Sequence, residues 1–198
     1  MSVALVRPGY NKMASQYAGS RSKLRSDKYV RKLINKLRKG STILDVGCGS
    51  GDPIGVQLAG AGHVVLGIDI SEEMVRLAQK NCPAGQYMVG DVRSLAKEEY
   101  QVDAVVCFYT MFHIPRDEHE RVIKVLASFL PRGGYLLLSM GDREWEGEHM
   151  LYGARMWSSQ WGVTKNRKIV EQAGMTVELD EIDTSGGERH QVILARKK

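Results

Sequence analysis

Apolar positions along this chain fall into two alternating periods. Short, nearly continuous apolar runs at 42–46, 63–70, 86–91, 102–109 and 135–140 read as strands. The fourth, VDAVVCFY, is almost wholly apolar, as a strand covered on both faces should be. Between these runs the spacing is helical. Tyr29, Val30, Leu33, Ile34 and Leu37, set among basic residues, predict an amphipathic helix ending near Gly40. A second helix is predicted over 54–59, closed by Gly60 and Gly62. A third spans 72–81, with Ser71 as its N-cap, Glu72 and Glu73 in its first turn and Pro83 beyond its end. A fourth covers 116–130, with Val122, Ile123, Leu126, Phe129 and Leu130 turned inward. Strand and helix alternating over 140 residues predict a doubly wound parallel sheet.

The last third reads differently. Residues 141–162 hold all three tryptophans, with Met150, Tyr152 and Met156, and show no clean period. A helix follows over 164–173, closed by Gly174. Runs at 175–182 and 190–196, joined by the turn-like TSGGE, predict an antiparallel strand pair at one sheet edge. The expected fold is therefore α/β: one domain over 1–198, with a mostly parallel seven-stranded sheet and an antiparallel C-terminal pair. No repeat or linker divides it.

Composition narrows the class. No apolar run approaches the roughly 18 residues of a membrane span, and no apolar signal segment opens the chain. Cys48, Cys82 and Cys107 are scattered without a CxxC pair, so neither zinc nor a disulfide framework is expected and no metal site is assigned. A reducing, cytoplasmic setting is the expectation. The net charge of +5 is concentrated: residues 21–39 carry nine Lys or Arg against Asp27 alone. Such a run is either a solvated helix face or a patch for a polyanion. With only Tyr29 interleaved, it lacks the aromatic residues that stack on bases.

Chemistry gathers at strand ends. ILDVGCGSG (43–51) ends an apolar strand in Asp45 and then sets Gly47, Gly49 and Gly51 in a turn. In open α/β sheets, ligands bind beyond the carboxyl ends of the strands, and glycines let a ligand approach the backbone. A dinucleotide pyrophosphate requires GxGxxG. Here the spacing is GCGSGD, and Asp45 and Asp52 put negative charge where a phosphate would sit. Two further acids follow at 22-residue intervals, Asp69 and Asp91. A carboxylate ending the second strand suits the paired hydroxyls of a ribose, and one ending the third suits an exocyclic amine such as that of adenine. The implied ligand is an adenosine with a small cationic tail.

At this point the sequence resembles the class I S-adenosylmethionine-dependent methyltransferases. ILDVGCGSG looks like that family's first motif, GIDIS its ribose loop and GDV its adenine loop. VDAVVCFYTMFHIP and LPRGGYLLLS resemble its fourth- and fifth-strand motifs. The resemblance implies a Rossmann-like methyltransferase fold and S-adenosylmethionine as cofactor, with S-adenosylhomocysteine as product. It implies that Gly47, Cys48, Gly49 and Gly51, with Asp45 behind them, pack against the methionine part. It further implies that Asp69 holds the ribose, Ile70 lies on the adenine, Asp91 and Val92 read the adenine edge, and the Phe108 carbonyl meets the amino group.

The cofactor brings the reactive methyl group, so the protein must orient the acceptor and, where the acceptor keeps its proton, supply a base. His113, just after the fourth strand, is the base candidate, with Tyr109 as the second catalytic candidate and Tyr109 and Thr110 lining the acceptor pocket. Asp142, Glu144 and His149 also follow the fifth strand, whereas His190 is expected to be structural. Residues 141–162 are the expected acceptor-side lid, with Trp145 and Trp157 facing the substrate. Residues 1–40 form a helical lead-in in which Tyr10 or Tyr17 closes over the cofactor, with Tyr17 also expected on the substrate side. The chain has no NPPY-like tetrapeptide, no Pro-Cys pair and no acid pair of the kind that grips arginine. A small-molecule acceptor is the expectation, with no membrane partner. The rivals are an RNA methyltransferase using the basic run and a cofactor-binding regulatory protein without turnover.

Overall fold

The computed structural model describes residues 2–21, 27–185 and 187–198. Part of the basic run (22–26) and Gly186 of the predicted turn lie outside the described residues. Five parallel strands occupy the predicted runs: β1 (Thr42–Val46), β2 (Val64–Asp69), β3 (Gln86–Val89), β4 (Ala104–Cys107) and β5 (Tyr135–Met140). The C-terminal strands are β8 (Met175–Asp183) and β9 (His190–Lys197). The sheet order is β3-β2-β1-β4-β5-β9-β8, and β9 runs antiparallel to both of its neighbours. Strand order reverses between β1 and β4, which opens a crevice beyond their carboxyl ends.

Alternate residues of the buried strands serve opposite faces. Leu44, Val105, Leu136 and Leu138 pack with α5 (His119–Ser128) and α6 (Val163–Gln172). Ile43, Val106 and Leu137 pack on the other face with Tyr29, Val30 and Leu33 of α2 (Asp27–Ile34), Leu58 of α3 (Ile54–Gly60) and Val75 and Ala78 of α4 (Glu72–Asn81). This period-two alternation is what makes the strand sequences apolar on both sides.

Two elements depart from the sequence reading. The helix expected to reach Gly40 ends at Ile34, because the bonds there shorten to i−3: Lys36 N donates to Leu33 O and Leu37 N to Ile34 O. The segment read as unpatterned is a hairpin of β6 (Trp145–Leu151) and β7 (Ala154–Gln160), paired only with each other. Within the N-terminal lead-in, α1 (Val6–Arg21) is seated on α4 and β7 with Val6, Met13, Ala14, Tyr17, Met74, Ala154 and Met156 between them. Contact there is close: a side chain at Gly9 would place its Cβ 2.2 Å from Met156 Sδ.

A buried amide ties the hairpin to the sheet. Asn166 of α6 donates from Nδ2 to Gly141 O (2.8 Å), Trp161 O (3.3 Å) and Gln191 Oε1 (2.9 Å). Asn166→Ala leaves those buried acceptors without a donor. It should cost about 2 kcal/mol in urea unfolding; a change under about 0.5 kcal/mol would show that the amide is not the tie.

Candidate active site

The glycine turn is shaped by backbone donors converging on the end of β2. Gly47 N (2.7 Å) and Cys48 N (3.0 Å) both donate to Ile68 O. Asp69 completes the arrangement: its Oδ2 accepts from Gly49 N and its Oδ1 from Ser71 N, each at 2.9 Å. Ser71 caps α4 as its sequence context predicts, accepting from Met74 N. Gly47 has φ +69°, and a Cβ there would fall 1.7 Å from Thr110 Oγ1, so only glycine lets the β4 loop close against the turn. The backbone tether of the glycine turn is thus made by Asp69.

Asp45 lies beneath the turn, 1 % exposed, and its Oδ2 has no hydrogen-bond partner. Burial, with the nearby Asp69 charge, pushes its carboxyl up to about 7. Burial also raises Asp69, to about 6, against the pull of its backbone N–H donors. Neither acid has a basic partner among the described residues. Two buried carboxyls without a cation fit a ligand that brings positive charge of its own.

A narrow cleft of about 110 Å³ opens over this turn. Its walls are residues 47–50 and 52–54, Asp69, Ile70, residues 90–93, residues 108–110, His113 and Ile114, and Val6, Tyr10 and Tyr17 of α1 roof it. At its β3 end Asp91 is engaged by Arg93: Oδ1 accepts from Arg93 N and Nε, and Oδ2 from Nε and Nη2. Burial pushes the Asp91 carboxyl up, but the guanidinium and backbone N–H of Arg93 outweigh it and hold the group below its usual range. At the β4 end the Thr110 hydroxyl is shared between the carbonyls of Val46 and Phe108, each at 3.1 Å.

A second cleft of about 480 Å³ meets the first at Tyr10, Tyr109 and His113. Tyr109 stands in the left-handed region (φ 56°), a strained position for an aromatic residue, with its N–H donating to Ser139 Oγ at 2.7 Å. His113 is held at both nitrogens. Nδ1 lies 2.9 Å from Trp157 O, which can only accept, so Nδ1 carries a proton. In the neutral ring Nε2 is then the acceptor for the Tyr10 hydroxyl, 2.8 Å away. The far wall is the inner face of β6, through Trp145, His149 and Leu151.

The expected residues divide by place. Gly47, Cys48, Gly49, Asp69, Ile70, Asp91, Val92 and Phe108 line the first cleft; Asp45 and Gly51 lie behind it, and Gly51 abuts Ala78 of α4. Tyr109 and His113 stand at the junction. Tyr17, expected on the substrate side, lines the first cleft, and Trp145 lines the second. The Trp157 side chain is buried and lines neither cleft; its carbonyl instead anchors His113. His190, expected to be structural, lines the second cleft, whereas Glu144 pairs outside it with Arg116. The sequence reading missed Arg93 and the second-cleft residues Phe112, Ser158, Gln160 and Arg189. Arg93 carried a signal, since an acid two residues before an arginine at a strand end can form this kind of closed pair. The others carried none, because their convergence depends on the hairpin.

The raised carboxyls give a pH signature. An acid raised on folding stabilises fully below its unfolded pKa, near 4, and loses that contribution as pH rises through its folded value. Stability of the ligand-free protein should therefore fall between pH 4 and 7. Asp45→Asn should recover about 2–4 kcal/mol at pH 8 and little at pH 4. Thermal melts at the two pH values check this, and equal changes at both would contradict it.

A family model described as a methyltransferase domain matches residues 43–134. The ubiquinone biosynthesis O-methyltransferase of Coxiella burnetii (strain Dugway 5J108-111) is 32% identical over 123 residues, which cover 60% of this chain and 50% of that protein. The chain thus spans about half the length of the curated relatives it matches. The magnesium protoporphyrin IX methyltransferase of Synechocystis PCC 6803, solved with bound S-adenosylhomocysteine, superposes with a TM-score of 0.79 over 99% of both chains at 22% identity. A TehB-like methyltransferase from Corynebacterium glutamicum superposes with a TM-score of 0.73 over 96% of this chain and 100% of its own, also at 22% identity. The glycine turn and the acids that end β2 and β3 lie within residues 43–134, which match a methyltransferase domain, on a fold that this chain shares with solved methyltransferases.

Proposed function

We propose that the protein transfers a methyl group from S-adenosylmethionine to a small-molecule acceptor, with the cofactor in the first cleft and the acceptor in the second. The observation that carries this reading is the junction of the two clefts at His113 and Tyr109, above a turn whose buried acids lack a cation. When bound, S-adenosylmethionine supplies an electrophilic methyl group on a positively charged sulfur. Gly47, Cys48 and Gly49 would pack along its methionine part, with Gly51 and Asp45 supporting them from behind. Asp69 keeps lone pairs for ribose hydroxyls beyond the two it gives to Gly49 and Ser71. Ile70 would cover the adenine face. Val92 would meet the adenine edge, with Asp91 acting there only to the extent that Arg93 yields. The Phe108 carbonyl retains acceptor capacity beside Thr110 for an amino group. No residue is assigned to a metal.

His113 would take the acceptor's proton at Nε2. Its Nδ1–H bond to Trp157 O fixes the ring and stabilises the charge that forms. The acceptor would replace the Tyr10 hydroxyl at Nε2, which couples acceptor entry to movement of α1. A free volume of 110 Å³ lies below the roughly 300 Å³ of typical ligand sites. This supports α1, within the expected lead-in of residues 1–40, as a lid that opens for the cofactor. The inner face of β6 supports 141–162 as the acceptor-side wall.

The basic run favours no RNA reading. Among the described residues Lys28 pairs with Asp183, Arg31 with Asp27 and Lys36 with Glu178, so acids of the chain itself meet three of the run's nine basic residues. The curated relatives are named as O-methyltransferases of ubiquinone biosynthesis, which supports a small acceptor. No helix among the described residues is long and apolar enough to cross a membrane.

Purified protein with cofactor and a cell extract split by size should form S-adenosylhomocysteine with the small-molecule fraction. His113→Gln should lower that rate about 100-fold or more. Product only with the macromolecular fraction would overturn the small-acceptor reading, and none with either fraction would overturn turnover itself.

A further inference from the structure

We infer that the acceptor is a planar aromatic molecule bearing a carboxylate, held between the rings of the second cleft with its anionic group on Arg143. This rests on the methyl-transfer reading above and adds the substrate class.

Shape comes from the rings. Tyr109, Phe112 and His190 form one contiguous cluster, with Phe112 and His190 centroids 4.9 Å apart at 35° and Tyr109 meeting His190 edge-on at 5.1 Å. Across the cleft stand Trp145 and His149, in edge contact at 5.9 Å. Aromatic walls on two sides favour a flat π-system through stacked and edge contacts. The space of about 480 Å³ lies within the range for small-molecule sites.

Charge comes from what is left unpaired. Asp142 is tied to Arg189 at 2.9 Å and Glu188 to His190 at 3.0 Å, so the acids of the cleft are engaged. Burial lowers the pKa of His149, whose Nδ1 has no hydrogen-bond partner. Arg143, exposed at the rim, is a guanidinium of the cleft with no ion pair among the described residues. A planar guanidinium with its donors free matches a carboxylate in bidentate geometry. The Gln160 side-chain amide lines the same cleft and supplies a further polar contact. A neutral aliphatic acceptor would use neither the rings nor the cation.

The test is calorimetric titration of the protein saturated with S-adenosylhomocysteine. The probes are 6-hydroxy-2-naphthoate, its carboxamide, and 4-hydroxycyclohexanecarboxylate. The aromatic acid should bind about tenfold more tightly than its amide, as expected of a charge-assisted pair, and more tightly than the saturated acid. Arg143→Ala should bring acid and amide to equal affinity with an unchanged melting temperature, and Arg143→Lys should restore part of the preference. Equal binding of acid and amide to the wild type would overturn the inference. So would a preference that survives Arg143→Ala, or a saturated acid that binds as well as the aromatic one. Failure to bind S-adenosylhomocysteine at the outset would instead overturn the methyl-transfer reading.

Discussion

The Asp69 carboxylate is the constraint on which this site depends. One of its oxygens holds the glycine turn that follows β1, and the other holds the first turn of α4. Parallel pairing of β1 with β2 brings Val46 level with Ile68, so both turns leave the sheet side by side. Without the carboxylate, the N–H groups of Gly49 and Ser71 would be left without these acceptors, at the floor of the cleft and in the buried cap of α4. The cleft floor is thus a product of sheet register and one acid, and the same acid is placed to meet a ribose. Its burial keeps its basicity high, which couples the shape of the floor to the charge of whatever enters.

Much of the fold was legible in the sequence because burial on both sheet faces leaves a nearly continuous apolar record. Ile43 against Leu44 and Val105 against Val106 face opposite layers, and both members of each pair must be apolar. The glycine turn was legible for a steric reason, since no side chain at Gly47 could stand beside Thr110. Ser71 was legible as a cap because its own hydroxyl makes the bond.

The hairpin was not legible, and its residues explain why. The inner face of β6 meets a cleft rather than a core, so Trp145, Gly147 and His149 show no apolar alternation. In β7, Ser159 is buried yet satisfied by Arg116 N and Glu146, which breaks the expected pattern of apolar burial. Trp157 misled for a related reason. An aromatic residue in an irregular stretch suggests a pocket wall, but its side chain belongs to the core and its backbone does the work at the site. The division of labour between Asp45 and Asp69 was equally hidden, because two acids at neighbouring strand ends look alike until their hydrogen bonds are known.

The central claim is that the cleft above the Asp69-held turn binds the adenosyl cofactor. Calorimetric titration of S-adenosylhomocysteine into the wild-type protein and Asp69→Asn tests it most directly. The amide keeps the shape of the carboxylate but loses its charge and one acceptor. The account predicts saturable one-to-one binding to the wild type, and affinity about tenfold or more lower for the variant. Equal affinity for both proteins, or no binding to either, would contradict it.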